Sequence, residues 1–310
     1  MYRTILVPLD GSERAEAIIP HVENLAQHEH AKVVLTQVIE PVSRSFVLDP
    51  DAPPKYKFDT SGADTAKAYL ARWQKKFELQ GINAETLLMW GPTVESIIHA
   101  ANEAKADLIA VTSQGRSGLA QVFYGSVASG LLNRVRRPLL LVRPNTRPIT
   151  ADNRHILAPM DGSKRSEAIL PHVEGVAKLY DAEVTLLRVV VTLNQNVAYD
   201  NIEAEFEAKE VHGHLLNRLG ESQEVERFSK AREHILVQRN KLRQKGLNVE
   251  ALLMHGRPVD GIVRTAENIQ ADLIALTSQG HTGLAQVFYG SVASGIMNQI
   301  ERPLLLVKPD

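Results

Sequence analysis

Two nearly identical stretches of this chain repeat glycine, serine and cationic residues at fixed spacing. TSQGRSGLAQVFYGSVASG occupies residues 112–130, and TSQGHTGLAQVFYGSVASG occupies residues 277–295. Packing alone tolerates volume-conserving swaps among apolar residues, so two copies held only by core demands could drift apart in identity. Because these stretches have kept their identity, they are candidates for positions that chemistry rather than volume fixes.

Each stretch contains a glycine, then nine residues, then a Gly-Ser pair, at Gly115, Gly125 and Ser126 in the first copy and Gly280, Gly290 and Ser291 in the second. Glycine permits positive φ and close approach of a ligand to the backbone. The Gly-Ser pair precedes a predicted helix, whose N terminus offers unpaired N–H groups and a positive dipole end. The serine hydroxyl could cap that helix or donate to a phosphate oxygen. The combination indicates an anion cradle, although the glycines could also serve only turns and close packing.

The cation within the stretch differs between the copies. Arg116 could reach a terminal phosphate, or it could simply be solvated, and His281 replaces it in the second copy. Because histidine titrates near neutral pH, we expect the two sites to differ in phosphate contact or in pH response.

A doubly wound α/β fold is predicted from alternating elements. Short apolar runs such as ILVPL, VVLTQVI, AETLLM, DLIAVT and PLLLV are typical of strands buried on both faces of a parallel sheet. The segments between them, such as SERAEAIIPHVENLAQ, space apolar residues three and four apart, as helices do. This alternation predicts βαβ crossovers and an open sheet. Ligands of such sheets bind outside the carboxyl ends of the strands, where the repeated stretches begin.

The chain repeats almost end to end. YRTILVPLDGSERAEAIIPHVENLA aligns with RHILAPMDGSKRSEAILPHVEGVA, and GINAETLLMWG aligns with GLNVEALLMHG. We therefore predict domains at 1–146 and 152–310. Residues 40–60 are predicted to form a surface loop. The second copy carries a longer helical insertion at about 200–245, which is predicted to be a solvated helix or a partner-binding arm.

Composition excludes several classes of function. The formal net charge is −1, which gives no general attraction to nucleic acid or anionic lipid. No apolar run approaches the roughly 18 residues of a membrane span, and MYRTILVPLDGSERAE lacks the pattern of a signal peptide. The absence of cysteine excludes disulfides and thiolate sites. We expect a cytoplasmic protein without nucleic-acid or membrane partners.

The LDGS sequence and the spaced loop resemble the nucleotide-binding form of the universal stress protein family. That family's loop reads Gly, two residues, Gly, nine residues, Gly, then Ser or Thr, and the resemblance covers both copies almost end to end. It implies two tandem open five-stranded parallel sheets of strand order 3-2-1-4-5. Helices cover both faces, as in adenine nucleotide alpha hydrolase-like folds.

The resemblance also implies a site for ATP or another adenine nucleotide in each copy, with Mg²⁺ as an optional companion of the phosphates. Asp10 and Asp161, after the first strand, would bind the adenosine moiety, although the same aspartates could simply shape a turn whose serine caps a helix. Val38 and Val189 would line the adenine. The ribose and phosphates would contact Thr112, Gly115, Arg116, Gly125, Ser126, Val127, Thr277, Gly280, Gly290, Ser291 and Val292.

One departure from the family's loop occurs in both copies. Thr112 and Thr277 stand where the first glycine is expected. A β-branched residue resists positive φ and adds bulk beside the ligand. Affinity or the phosphate pose is the property that this bulk would affect, but because the same change occurs in both copies we interpret the threonines as a tolerated variant.

Catalysis is not indicated by the sequence. Phosphoryl transfer needs positioned charge, usually Mg²⁺ with a Lys or Arg clamp, and the chain has no G-x-x-x-x-G-K-[ST] loop. We expect nucleotide binding with at most weak ATP hydrolysis, and we assign no catalytic or metal-ligating residue. Two alternatives remain: a slow metal-dependent ATPase or nucleotide-transfer enzyme, and a nucleotide-free interaction module, which the threonine substitutions favour.

The last predicted strands, at 138–144 and 303–309, are apolar sheet edges that invite pairing. The family resemblance implies that the final strand is a dimerising edge. We therefore predict an intrachain pseudo-dimer through these strands, with a further homodimer as an option.

Overall fold

The chain forms two compact units in a computed structural model. The first unit takes residues 2–131, and the second takes Met1 with residues 132–310. The terms first repeat and second repeat refer to the sequence copies at 1–146 and 152–310. The structure describes residues 1–40, 61–113, 125–144, 146–148, 154–191, 222–278 and 291–309.

In the described part of the first unit, four parallel strands follow the order β3-β2-β1-β4. The strands are β1 (Thr4–Pro8), β2 (Lys32–Ile39), β3 (Ala84–Trp90) and β4 (Leu108–Thr112). The helices are α1 (Glu13–Glu16), α2 (Ile19–Glu29), α3 (Ser61–Leu79), α4 (Thr93–Glu103) and α5 (Ser126–Arg134), whose last residues belong to the second unit.

The second unit contains strands in the order β5-β10-β9-β6-β7-β8. They are β5 (Leu139–Val142), β6 (His155–Pro159), β7 (Glu183–Val190), β8 (Val249–His255), β9 (Leu273–Thr277) and β10 (Leu304–Val307). The helices are α6 (Lys164–Glu167), α7 (Leu170–Tyr180), α8 (Ser222–Arg243), α9 (Pro258–Asn268) and α10 (Ser291–Gln299).

The predicted fold class is confirmed. The five strands of the second repeat follow the order 3-2-1-4-5, all parallel, and the first four strands of the first repeat follow the same order. The central strands β4 and β9 are buried along their whole length, as their continuous apolar sequences predicted.

One predicted helix is in fact two in each repeat. The segment after the DGS sequence forms the single turn α1 and then α2, where Pro20 lies in the first turn of the second helix. Proline has no N–H and is tolerated in the first turn of a helix, where that donor would be unpaired. The prediction of one continuous helix is therefore wrong. The described part of the 200–245 insertion is the single helix α8. Residues 41–60, most of the predicted surface loop, lie outside the described residues.

The last strands of the two repeats pair in antiparallel fashion, with Leu140 opposite Leu305. Reciprocal side-chain bonds accompany the pairing. Arg143 Nη2 donates to the Met297 carbonyl at 2.6 Å, and Lys308 Nζ donates to the Asn133 carbonyl at 3.0 Å. In each repeat, a basic side chain therefore donates a hydrogen bond to a carbonyl in the C-terminal part of the other repeat's last helix. A positive charge at this end of a helix is also favoured by the helix dipole.

Two glycines of the repeated stretches are fixed by packing. A Cβ at Gly130 would stand 2.5 Å from Val94 Cγ2, and a Cβ at Gly295 would stand 2.6 Å from Val259 Cγ2. The helices α9 and α10 thus meet where a larger residue cannot fit. Packing therefore explains the identity at Gly130 and Gly295, so these two positions are not fixed by chemistry as the sequence comparison suggested.

We expect Gly295→Ala to lower the free energy of unfolding by about 1–3 kcal/mol, because the added methyl group overpacks the contact with Val259. The expected sign is informative, because Ala is otherwise better than Gly inside a helix by about 1 kcal/mol. Urea unfolding of Gly295→Ala, Val259→Ala and the double variant measures the coupling. The double variant should recover most of the loss, whereas a Gly295→Ala protein more stable than the parent would refute the packing argument.

Candidate functional site

A cavity of about 630 Å³ opens at the carboxyl ends of β6, β7 and β9. It lies where strand order reverses, since β6 pairs with β7 on one side and β9 on the other. This is the switch point at which open α/β sheets bind ligands. The structure brings five predicted site residues of the second repeat together in its lining: Asp161, Val189, Thr277, Ser291 and Val292.

Asp161 organises the turn that leaves β6. Its Oδ1 atom accepts hydrogen bonds from Ser163 N at 2.9 Å and Ser163 Oγ at 2.6 Å. Ser163 Oγ in turn accepts from Ser166 N at 3.1 Å, which caps α6. Between them Gly162 has φ of 79°, a conformation that favours glycine. Asp161 therefore stabilises the turn, as one of the two interpretations predicted, and it also lines the cavity.

The first repeat builds the same turn from its own residues. Asp10 Oδ1 accepts from Ser12 N at 2.9 Å and from Ser12 Oγ at 2.6 Å, and Gly11 has φ of 81°. Val38 lies near the end of β2, opposite Met89, as Val189 lies opposite Met254. The backbone frame of the predicted site is thus alike in the two repeats.

An apolar wall stands beside Asp161. Val189 is 9% exposed, and its Cγ2 atom lies 3.0 Å from where a Cβ of Gly261 would stand. The helix α9 therefore approaches the end of β7 closely because it has no side chain at Gly261. Other apolar residues continue the wall: Val191, Pro258, Ile262 and Leu276. Such a wall suits a flat apolar ring system.

Thr112 and Thr277 are the last residues of β4 and β9, and both are buried. Neither has positive φ. The predicted conformational penalty is therefore wrong, because the extended strand backbone at this position suits a β-branched residue. Thr277 lines the cavity, so its bulk does stand at the candidate site.

The first turn of α10, formed by Ser291, Val292 and Ala293, faces the cavity. In the first repeat α5 begins at Ser126, and the Gly125 carbonyl accepts from Ser129 N at 3.0 Å. The residue whose carbonyl accepts the first helical bond is the cap, so Gly125 is the cap and the predicted capping role of Ser126 is wrong. Gly125 N also donates to the Ser113 carbonyl at 2.7 Å.

Several predicted residues lie outside the described part of the chain. They are Gly115, Arg116, Gly280, His281 and Gly290.

Sequence reasoning missed a set of basic residues in the cavity lining: Arg188, Arg227, Lys230 and His234. Arg188 stands on β7 and the other three stand on α8. Arg188 could have been found from the repeat alignment, in which it matches Gln37. The second copy thus has a cation where the first has a neutral residue, next to the predicted ligand residue Val189. The α8 residues gave no such signal because the insertion obscures the alignment.

Arg188 is held close to the Asp161 turn. Its Nη1 atom donates to the Met160 carbonyl at 3.3 Å, and its guanidinium carbon lies 3.3 Å from the Cβ position of Gly162. Burial lowers the pKa of Arg188, while the charge of Asp161 opposes that shift. The guanidinium stays protonated, since arginine does not lose its proton in proteins. The cavity therefore contains a half-buried cation beside a carboxylate.

Comparison with known proteins agrees with this fold. The family model described as the universal stress protein family matches residues 1–143 and 152–308. A universal stress protein of Mycolicibacterium smegmatis is 23% identical over 312 residues, covering 98% of this chain and 97% of that protein. One from Methanocaldococcus jannaschii is 29% identical over 162 residues, covering 49% of this chain and 93% of that protein.

A solved structure shares the architecture over the whole length. The crystal structure of a universal stress protein from Archaeoglobus fulgidus matches with a TM-score of 0.69 at 19% identity, covering 99% of this chain and 96% of that chain. In the described part of this chain, no helix is both long and apolar enough for a membrane crossing. Since the family matches span both repeats, the chain belongs to the universal stress protein family and carries two tandem domains of it.

Proposed function

We propose that the second repeat binds an adenine nucleotide such as ATP in the cavity at the ends of β6, β7 and β9. The observation that carries this proposal is the convergence of Asp161, Val189 and the first turn of α10 on one cavity. Its volume of about 630 Å³ lies within the range of small-molecule sites.

Each wall of the cavity suits a different part of the nucleotide. The apolar wall around Val189 would cover the adenine, and Asp161 would accept hydrogen bonds from the ribose hydroxyls. The first turn of α10 would face the phosphates, because a helix N terminus attracts anions. Thr277 and Ser291 would supply hydroxyl groups between these positions.

The first repeat is proposed to bind a second nucleotide with Asp10, Val38, Thr112, Ser126 and Val127. Its buried Ser113 Oγ has no hydrogen-bond partner within the described ranges, which a ligand could supply. The proposal extends, on the family's loop pattern, to Gly115, Arg116 and Gly125 and to Gly280 and Gly290 of the second repeat.

We propose that the site binds nucleotide rather than turning it over, with room for Mg²⁺ beside the phosphates. Asp161 is the carboxylate in the cavity lining, and Mg²⁺ commonly uses one or two carboxylates together with substrate phosphates. An Mg²⁺ ion that accompanies the nucleotide would neutralise phosphate charge, and its protein ligand would be Asp161 only where that carboxylate is not engaged by the ribose. We propose a nucleotide-responsive stress protein of the cytoplasm, with at most weak ATP hydrolysis.

The pairing of β5 with β10 supports an intrachain pseudo-dimer of the two repeats. The reciprocal bonds of Arg143 and Lys308 give that pairing the twofold character of an isologous interface. We propose that the affinity of this protein for its partners depends on the bound nucleotide.

Calorimetric titration of nucleotide-free protein with ATP tests the proposed function. We expect saturable binding at two sites, one per repeat. Val292→Trp should abolish one site by filling the cavity beside the first turn of α10, and Val127→Trp is the matched change in the first repeat. Circular dichroism and urea unfolding establish that each variant is folded. Absence of ATP binding in the folded parent protein would refute the proposal.

A further inference from the structure

The helix α8 turns a basic face toward the cavity. Arg227, Lys230, Ala231 and His234 are three or four residues apart, so they share one side of the helix, and all four line the cavity. Arg227 and Lys230 are exposed, while His234 is half-buried.

The corresponding helix of the first repeat has no such face. The register between α3 and α8 is fixed by burial, since Leu70 matches Ile235 and Phe77 matches Leu242, all four buried. In that register three neutral residues replace the basic ones: Gly62 for Arg227, Thr65 for Lys230 and Tyr69 for His234. The basic face is therefore a property of the second repeat among the described helices.

Arg188 adds a cation on the same side of β7. Alternate residues of a strand face opposite sides of the sheet, and Val190 packs on the cluster that contains Phe228 and Ala231 of α8. Arg188, two residues before Val190, therefore faces α8 as well. Its Nε atom is buried and has no hydrogen-bond partner within the described ranges. A buried donor of this kind is costly unless something else supplies an acceptor.

The acidic residues around these cations are already accounted for. Glu226 pairs with Lys230 at 2.6 Å, but both side chains are more than half exposed, so the pair is weak and can be replaced. Glu167 pairs with His234 at 2.9 Å. Asp161, the carboxylate in the lining, is engaged by the Ser163 turn. Among the described residues that line the cavity, Arg188, Arg227 and Lys230 therefore stand against one carboxylate, that of Asp161.

We propose that Arg188 and the basic face of α8 form an anion subsite, specific to the second repeat, that binds a phosphate group of the ligand. Three cations favour phosphate over a singly charged carboxylate, and the arginine fork matches phosphate oxygens in a bidentate manner. The inference rests on the proposed function in that the phosphate is taken to belong to the bound nucleotide. The second repeat then has phosphate-binding cations that α3 and β2 of the first repeat lack at the matching positions.

Titration with inorganic tripolyphosphate tests the subsite independently of the base. The parent protein is compared with Arg188→Gln and Lys230→Thr, which introduce the residues that the first repeat carries at these positions. Lys241→Thr is the matched control, because Lys241 stands on the same helix outside the cavity lining and contacts Gln238. Adenosine and ATP are titrated in parallel, in the Val127→Trp background that isolates the second site.

We expect tripolyphosphate to bind once per chain. Each cavity substitution should weaken tripolyphosphate and ATP binding by roughly tenfold or more, as loss of a charged hydrogen bond does. Adenosine affinity should stay within about twofold, and Lys241→Thr should change nothing. Because Lys230 is exposed, its variant tests the subsite even if Arg188→Gln proves unstable.

The outcomes separate this inference from the nucleotide proposal. ATP binding that is unaffected by both cavity substitutions would overturn the subsite and leave the nucleotide site standing. Tripolyphosphate binding that both substitutions weaken, without any adenosine or ATP binding, would support the subsite and overturn the nucleotide site. Equal weakening by Lys241→Thr would mean general charge attraction and would also overturn the subsite.

Discussion

Asp161→Asn should weaken ATP binding by the second repeat roughly tenfold to a hundredfold while leaving the fold nearly as stable as before. A hydrogen bond to a charged group is worth about 1.5–3 kcal/mol, and each 1.4 kcal/mol is a tenfold change in affinity. Asparagine removes the charge that would bind the ribose hydroxyls. Its side-chain oxygen can still accept the two bonds from Ser163 that hold the turn.

The comparison with Asp161→Ala separates the turn from the ligand. Alanine removes both functions, so we expect the same loss of affinity together with a loss of about 1 kcal/mol in unfolding free energy, similar to the loss of a cap. Titration in the Val127→Trp background reports on the second repeat alone, and Asp10→Asn in the Val292→Trp background is the matched test of the first. If Asp161→Asn binds ATP as tightly as the parent, Asp161 serves the turn only.

Phe77→Ala should lower the unfolding free energy of the first unit by about 3–5 kcal/mol. Phe77 is fully buried on α3, and truncation of a buried phenylalanine removes apolar burial and leaves a cavity. The loss is a large part of the roughly 5–15 kcal/mol that a domain possesses. Urea unfolding measures the change, and hydrogen exchange shows whether the loss is confined to residues 2–131.

Leu79→Ala supplies the control for that substitution. Leu79 stands two residues away on the same helix but is 78% exposed, so its truncation should change the unfolding free energy by less than about 0.5 kcal/mol. Equal effects of the two substitutions would contradict the packing assigned to α3.

Local sequence patterns were sufficient for the sheet. Short, continuous apolar runs are typical of strands that are buried on both faces of a parallel sheet. Because the same runs recur in both copies, the prediction made for one repeat applied to the other. The turn at Asp161 was also predictable from the sequence, because Asp, Gly and Ser each have a specific role in such a turn. The sequence could not decide whether Asp161 shapes the turn or binds a ligand, because in the structure Asp161 both holds the turn and lines the cavity.

Long-range features could not be predicted in this way. Position 295 must be glycine because Val259, on another helix, leaves no room for a Cβ atom. The residues adjacent to Gly295 in sequence do not indicate this contact. The basic face of α8 depends on where the helix lies against β7, which the inserted residues before it conceal. Thr277 was misjudged because the family's glycine suggested a turn where the backbone is still an extended strand.

A crystal structure of this protein grown with ATP tests the central claim most directly. We predict difference density in the second repeat with the adenine against Val189, the ribose within hydrogen-bond distance of Asp161, and phosphates at the first turn of α10. An empty cavity at saturating ATP, or a nucleotide bound elsewhere on the chain, would contradict the claim.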